Sequence, residues 1–533
     1  VYGEVSRISP EAPIPVLRTR RTTAMPGGVG NVARNLAALG GLARLGAVVG
    51  DDPAGEELRA LIAAEDRIVD FIARPRGART VVKTRFVAAG QQLLRLDDEA
   101  AASTIENSDA FTDASAILLS DYAKGVVGDA LIAAALAAAR TIGAPVIVDP
   151  KGRDFARYGD DLGARVKAWG AAVRAAVERA GVAPEAVEQI FMGCVLPAGL
   201  GQAPARQASR AAGIPDAAGA TTINKVCGSG MKAIMLAHDL IRAGSSSVVV
   251  AGGMESMTNA PHLLNGSRTG VRYGSAEMLD HMAWDGLTNP YDGKAMGVFG
   301  DAMCEAYDFS REALDEFSTE SVRRAQEATG NGAFKAEIVP VTVKGRKGDT
   351  VVDTDEEPGK IDPSRIPGLR PAFGKEGRLT AASSSKISDG AAATVLMSAD
   401  EAAKRGLEPL ARIVAHAGHA QAPEWFTTAP VAAIRAVLEK SGWTVDDVDL
   451  FEVNEAFASV AMAPMKDLGI PHQKLNVNGG ACALGHPIGA SGARLVVTLV
   501  HALKSRNLRR GIASLCIGGG EATAIAIELP QQG

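Results

Sequence analysis

Two stretches far apart in the chain repeat one another in outline. AVERAGVAPEAVEQIFMG, residues 176 to 193, and VLEKSGWTVDDVDLFEVN, residues 437 to 454, both pass from a helical end through a Gly, reach a Val six residues later and enter an apolar strand. A second echo pairs VVVAGGMES, ending at Ser256, with ASLCIGGGEA near the C-terminus. Repeated units of this kind bury their apolar faces against each other, so two related α/β halves packed together are expected. The stretch between the first halves of these echoes and the second, roughly 258 to 380, is polar and turn-rich (NGSRTG, KGRKGD, DEEPGKIDPSRIPG) and reads as a long insertion over one face.

The 533 residues exceed what a single core accommodates. Residues 1 to about 160 have their own rhythm: VVKTRFVA, AILLSDYA, LIAAALAAARTIG and APVIVDPKG read as strand, strand, helix and strand of a separate α/β segment. From Ala164 a helical pattern runs to a terminating Gly181. The division expected is therefore 1–160, 164–400 with the insertion at 258–380, and 401–533. All eight histidines lie at or after His238, so imidazole chemistry is confined to the later segments.

Composition narrows the class. With 47% hydrophobic and 22% charged residues the chain is neither disordered nor fibrous. A net charge of −5 gives no general attraction for nucleic acid or anionic lipid, and no apolar run is long enough to span a bilayer. The opening VYGEVSRISPEAP carries no targeting pattern. Five cysteines (Cys194, Cys227, Cys304, Cys482, Cys516), scattered without CxxC pairs, argue against disulfides and a structural zinc site and for reduced thiols in a cytoplasm. No metal is expected.

Four segments carry chemistry. TTINKVCGSGMKAIMLAHDLIRAG sets Cys227 between an apolar strand and an amphipathic helix, where free amides and the helix dipole are expected to lower the thiol pKa. NVNGGACALGHPIGASGARLVV surrounds His486 with five glycines, more than packing asks for, which points to close backbone approach by a ligand. SLCIGGGEATAIAIEL places Cys516 at a strand end before three glycines, and FEVNEAF sets Asn454 beside Glu455 after a strand. Each has a plainer reading: a buried thiol, a loop histidine, a hairpin turn, a loop amide.

Together, VCGSG, NEAF, NVNGGACALGHPIGASGARL and CIGGGEA, joined by AGGMESM and DGAAA, resemble the thiolase family in order and spacing from about residue 165 to 531. The resemblance implies the layered αβαβα thiolase fold and acyl transfer between coenzyme A thioesters. In it Cys227 would be the acylated nucleophile, His486 its base, and Cys516 the acid/base at the α-carbon. Asn454 would hold a water at one oxyanion site, and the amides of Cys227 and Gly518 would form the other. It further implies that pantetheine meets Ser385, with Phe373, Met296 and Phe457 as apolar walls, and that Lys344, Arg346, Lys347 and Lys360 are candidates for the nucleotide phosphates. Ala295 stands where several acetoacetyl-specific members carry His, which leaves chain length open. No tightly bound cofactor is implied; acetyl-CoA and acetoacetyl-CoA or another 3-ketoacyl-CoA would be the substrates, and the assembly a homodimer or homotetramer with HLLNGSRTGVRYG as a contact loop.

SRISPEAPIPV, PGGVGNVARNLAALG, QQLLRLD, LLSDYAKGVV and IVDPKGRDFARYGDD resemble the ribokinase-like sugar kinase domain of bifunctional heptose synthases, in which Gly28 and Asn31 of the GGVGN run would lie against the sugar. No GAGD anion-hole motif occurs in the chain, so no kinase activity is expected and the sugar site would be vestigial. The alternatives to an active thiolase are thus an inactive fusion and a kinase remnant. The thiolase segment begins at its first helix, and the strand that precedes this helix in the family is read as central to the sheet. Val146 to Val148 are expected to substitute for it, pairing into the thiolase sheet.

Overall fold

The computed structural model describes residues 1–10, 15–88, 91–98, 105, 109–121, 125–150, 161–270, 275–343 and 349–531. They form two compact units, Val1–Leu162 and Gly163–Gly533.

The first unit contains a four-stranded sheet in the order Pro15–Arg21, Tyr2–Ile8, Val82–Ala88, Gln91–Asp98, and two parallel strand pairs. One pair joins Ala43–Val48 to Ile68–Ala73, and the other joins Ile117–Asp121 to Val146–Pro150. Its helices Gly28–Ala38, Pro53–Ala63 and Asp129–Ile142 bury small aliphatic clusters, one around Ile117, Leu119, Ile132 and Ala135. Here the expectation for Val146 to Val148 fails. They pair with Leu118, Leu119 and their neighbours inside this unit. The reason is local: strand, Asp129–Ile142 helix and strand make one parallel crossover, and Val146 and Val148 already have their apolar partners in the same small core.

The second unit, whose elements are numbered from here, is built of two like halves. The first runs α1 (Asp161–Arg179), β1 (Gln189–Gly193), β2 (Gly219–Ile223), α2 (Ser229–Arg242), β3 (Val248–Ser256), α3 (Met296–Ala306), α4 (Arg311–Gly330) and β4 (Asp389–Met397). The second runs β5 (Arg412–Ala420), α5 (Ala429–Ser441), β6 (Leu450–Val453), α6 (Ala458–Leu468), α7 (Ile488–Ser505), β7 (Arg510–Ile517) and β8 (Glu521–Glu528). The sheets are ordered β2-β1-β3-β4 and β5-β8-β7-β6. The strand after the central helix has like neighbours in both: β3 is parallel to β1 and antiparallel to β4, and β7 is parallel to β6 and antiparallel to β8. The duplication read from the sequence is therefore a duplication of structure.

The halves differ at one edge. β8 is flanked by β5 and is buried from Ala522 to Ile527, whereas β4 has no described strand on its far side and is only half-buried from Gly390 to Met397. The position that β5 fills beside β8 is an edge position. The strand read as central is thus peripheral by the symmetry of the halves, and the β2-β1-β3-β4 sheet is continuous without it.

α2 and α7 pack together between the sheets over Met231, Ile234, Val249, Leu495, Leu499, Leu515 and Ile525. The inserted stretch is more than a covering loop: α3 and α4 contribute Phe299, Met303, Leu314 and Phe317 to the largest core, against Phe451 and Val453 of β6. Among the described residues no helix is long and apolar enough to cross a membrane.

Candidate active site

The two central helices begin face to face because glycine lets them. A side chain at Gly230, in the first turn of α2, would lie 2.8 Å from the Ala493 amide nitrogen and 3.1 Å from Gly489 O in the first turns of α7. Cys227 stands two residues before α2 and His486 two residues before α7, so this contact brings the two loops to one end of the helix pair. Val226, just before the cysteine, is held at φ +46°, a conformation that costs a β-branched residue strain and fixes the turn that presents the thiol.

Cys516 lies near the end of β7, beside the end of β6, through the pairing of Val453 with Ser514 and the bond from the Asn454 amide to Ser514 O (3.0 Å). Two backbone amides, those of Gly518 and of Cys227 itself, are directed at the Cys227 sulfur, and Cys516 is close enough to Cys227 for the charge on one to oppose ionisation of the other. Gly518 in turn lies under Met296 Cε and Val226 Cγ1, which a Cβ would meet at 3.4 and 3.5 Å.

The expected lowering of the Cys227 pKa is overturned. Burial pushes this thiol up to about 11, outweighing the two amides that favour its thiolate. Cys516, fully buried, is pushed up too, by burial and then by Cys227. His486 is pushed down to about 3, by burial first and then by the Arg494 cation. At neutral pH the resting site is a thiol, a neutral imidazole and a second thiol.

Hydrogen bonds settle the imidazole's orientation. Ser491 Oγ lies 2.5 Å from His486 Nδ1 and 3.0 Å from Pro487 O. The hydroxyl has one proton and the carbonyl can only accept, so His486 carries its hydrogen on Nδ1 and its lone pair on Nε2. Asn454 Nδ2 is 3.4 Å from Nε2, and Asn454 Oδ1 is buried without a protein partner. The loop from Thr380 to Ser388 ties these parts together: the Ser385 amide donates to Ala456 O (3.0 Å), and Lys386 O accepts from the His486 amide (3.0 Å).

Phe373 and Phe457 meet edge to face at 5.7 Å, and Gly297 and Gly300 of α3 are pressed against them. The three apolar residues named from the sequence thus fall in two contacts, Phe373 with Phe457 and Met296 with Gly518. Lys360 is exposed and pairs with Glu356 and Glu357 at 2.9 and 2.8 Å. Lys344, Arg346 and Lys347 lie outside the described residues. In the first unit, Gly28 opens a helix at φ +48° and Asn31 is exposed on it.

Three supporting residues escaped the sequence reading. Glu255, buried at the end of β3, accepts from the amides of Val195, Leu196 and Gly489 and so joins the first half to the His486 loop. Glu455 does the same for NEAF, accepting from Asn476 Nδ2, Ser321 Oγ and the Cys482 amide. Ser491 is the third. A Glu inside the apolar run VVVAGGMES was the available signal for Glu255, since a carboxylate is not buried without donors.

The fold and this arrangement define an acyltransferase of the thiolase class. The chain belongs to the thiolase family: the thiolase N-terminal domain model matches residues 162–400 and the C-terminal domain model 407–529. A probable acetyl-CoA acetyltransferase of Dictyostelium discoideum is 49% identical over 357 residues, 67% of this chain and 86% of that protein. An acetyl-CoA acetyltransferase of Cupriavidus necator is 49% identical over 360 residues, 67% and 91% of the two chains. The crystal structure of the Bacillus anthracis acetyl-CoA acetyltransferase superposes with a TM-score of 0.67 at 41% identity, covering 69% of this chain and 93% of that one. Residues 1–166 match the pfkB family carbohydrate kinase model, so two domain types are fused in this sequence.

Proposed function

We propose that this chain is an acetyl-CoA C-acetyltransferase that cleaves or forms short 3-ketoacyl-CoA through an acyl-Cys227 intermediate. The observation that carries the reading is the pair of amides, Cys227 and Gly518, aimed at a sulfur that has a second thiol, Cys516, beside it. An amide pair of this kind is the arrangement that stabilises the oxyanion formed when a thiol adds to a carbonyl.

In the cleavage direction Cys227 attacks the keto carbon and gives its proton to Nε2 of His486. The carbon–carbon bond then breaks, and the carbanion of the departing acetyl-CoA takes the proton of Cys516. A protonated Cys516 at rest suits this acid role. In the second half, coenzyme A loses its thiol proton to the Cys516 thiolate and attacks the acyl group; Cys227 leaves as a thiolate and recovers its proton from His486. The buried, unpartnered Asn454 Oδ1 supports a water at the second oxyanion position. Ser385 with Phe373, Met296 and Phe457 would receive the pantetheine arm. The relatives named acetyl-CoA acetyltransferase support acetyl-CoA as substrate. No tightly bound cofactor enters these steps. A homodimer or homotetramer in a cytoplasm completes the proposal; five free cysteines are in keeping with a reducing compartment.

The test is thiolysis of acetoacetyl-CoA by the full chain, followed by loss of the thioester's absorbance. Turnover that Cys227→Ala abolishes supports the reading, and no turnover by the unaltered chain refutes it in favour of an inactive fusion.

A further inference from the structure

Near the end of α2, about three turns beyond the Cys227 turn, three side chains from the two halves converge. His238 Nδ1, Asp239 Oδ1 and His416 Nε2 are separated by 3.1, 2.9 and 3.2 Å. The two histidines are 178 residues apart, one on α2 and one on β5, and their rings meet edge to face with centroids 5.0 Å apart. His238 and His416 are largely covered, at 19% and 16% side-chain exposure, while Asp239 is 53% exposed.

A closed hydrogen-bond trio accounts for this arrangement only partly. Both imidazole nitrogens point at one carboxylate oxygen and also stand within hydrogen-bond distance of each other, so at most one of them can serve as acceptor to the other. The separations match something else. Ligand atoms held about 2.0–2.1 Å from a tetrahedral ion lie about 3.3 Å apart, so these three atoms form one face of such a tetrahedron. Two imidazoles and one carboxylate are the donor set of zinc and its late first-row neighbours, whereas magnesium and calcium ask for oxygen alone. The exposed flank of Asp239 gives an ion a way in and leaves the fourth position to water.

We propose that His238, Asp239 and His416 form a binding site for a divalent transition-metal ion of the zinc type, one per chain. The ion would fasten α2 to β5. α2 begins beside Cys227, and β5 is the edge partner of β8, the strand that follows the Gly518 turn. The role is structural: none of the three residues enters the acyl transfer, and Lys440 Nζ, which donates to His416 O at 3.0 Å, already holds the strand in place without an ion.

The experiment is titration of the full-length, tag-free, metal-stripped chain with Co²⁺ and Zn²⁺, after Cys227 has been capped with iodoacetamide so that its sulfur cannot compete. One equivalent of Co²⁺ with the strong visible bands of tetrahedral coordination, displaced by Zn²⁺, is expected. Both signals should vanish in His238→Gln and His416→Gln, and the rise in thermal midpoint with Zn²⁺ should vanish with them. Metal-free thiolysis should be unchanged in these variants, which separates the site from the catalytic reading. Absence of stoichiometric binding by the unaltered chain overturns the proposal, as does binding that survives in both folded histidine variants.

Discussion

Ser491 Oγ stands 2.5 Å from His486 Nδ1 and leaves the ring's lone pair on Nε2, the nitrogen 3.4 Å from Asn454 Nδ2. A helix-start serine, one turn inside α7, therefore sets the tautomer of the base. Ser491→Ala is expected to lower kcat about tenfold to a hundredfold, part of the 10²–10⁴ that a positioned base contributes. KM and the thermal midpoint should move little. Ser491→Thr keeps the hydroxyl and should restore much of the rate; a Thr variant as slow as Ala would show that the hydroxyl is not what matters.

The two thiols are separable by their half-reactions. Cys227→Ala should form no acyl-protein with acetyl-CoA and show no turnover. Cys516→Ala should still acylate at Cys227, seen as an acetyl adduct by intact mass, while its thiolysis and condensation rates fall by at least about 10². Failure of Cys516→Ala to acylate would assign that thiol to the first step instead.

Because burial holds Cys227 at about 11, its alkylation should accelerate with pH without levelling off through neutrality. Rates of iodoacetamide capture between about pH 6 and pH 10 measure this, and a plateau below neutrality would mean a resting thiolate.

Gly230 is where the two helix starts touch. A methyl group there would meet the Ala493 amide nitrogen at 2.8 Å, and backbone on both sides cannot yield as a side chain would. Gly230→Ala should destabilise the second unit by about 1–3 kcal/mol. It should also cost more activity than stability alone predicts, since it separates Cys227 from His486. Denaturant midpoint and kcat of the soluble variant, measured together, check this.

Glu452 is buried on β6 with Arg494 3.8 Å away and no hydrogen bond to either carboxylate oxygen. Burial raises it to about 8, the arginine opposing. The folded chain thus keeps a proton that the unfolded chain, with its ordinary value of 4.5, has released. The stability this group contributes is whole below the unfolded value and is lost as pH rises through about 8. Glu452→Gln removes that dependence, so its stability relative to the unaltered chain should improve from about pH 5 to pH 9, by an amount on the order of a few kcal/mol. A difference that stays constant with pH would show that Glu452 titrates normally.

The two-half architecture was legible because helix end, Gly, Val and strand recur around Gly181 and Gly442 at fixed spacing, and periodicity survives divergence of side chains. Cys227, His486, Asn454 and Cys516 stood out because glycines flank most of them where packing does not require glycine. Glu255 and Ser491 did not stand out, since each matters through a partner more than two hundred residues away or through one proton of a hydroxyl. Val146 to Val148 misled for a related reason: strand type and position are visible in a sequence, but the choice of partner strand is not.

The sequence by itself determined the elements, the glycine-framed turns and the identity of the groups that could react. Only the tertiary structure decided their state. Whether Cys227 rests as thiol or thiolate depends on how burial weighs against two amides, and that balance exists only once α2, α7 and β7 enclose the sulfur. Desolvation is a property of the surroundings in three dimensions, and no spacing along the chain encodes its size.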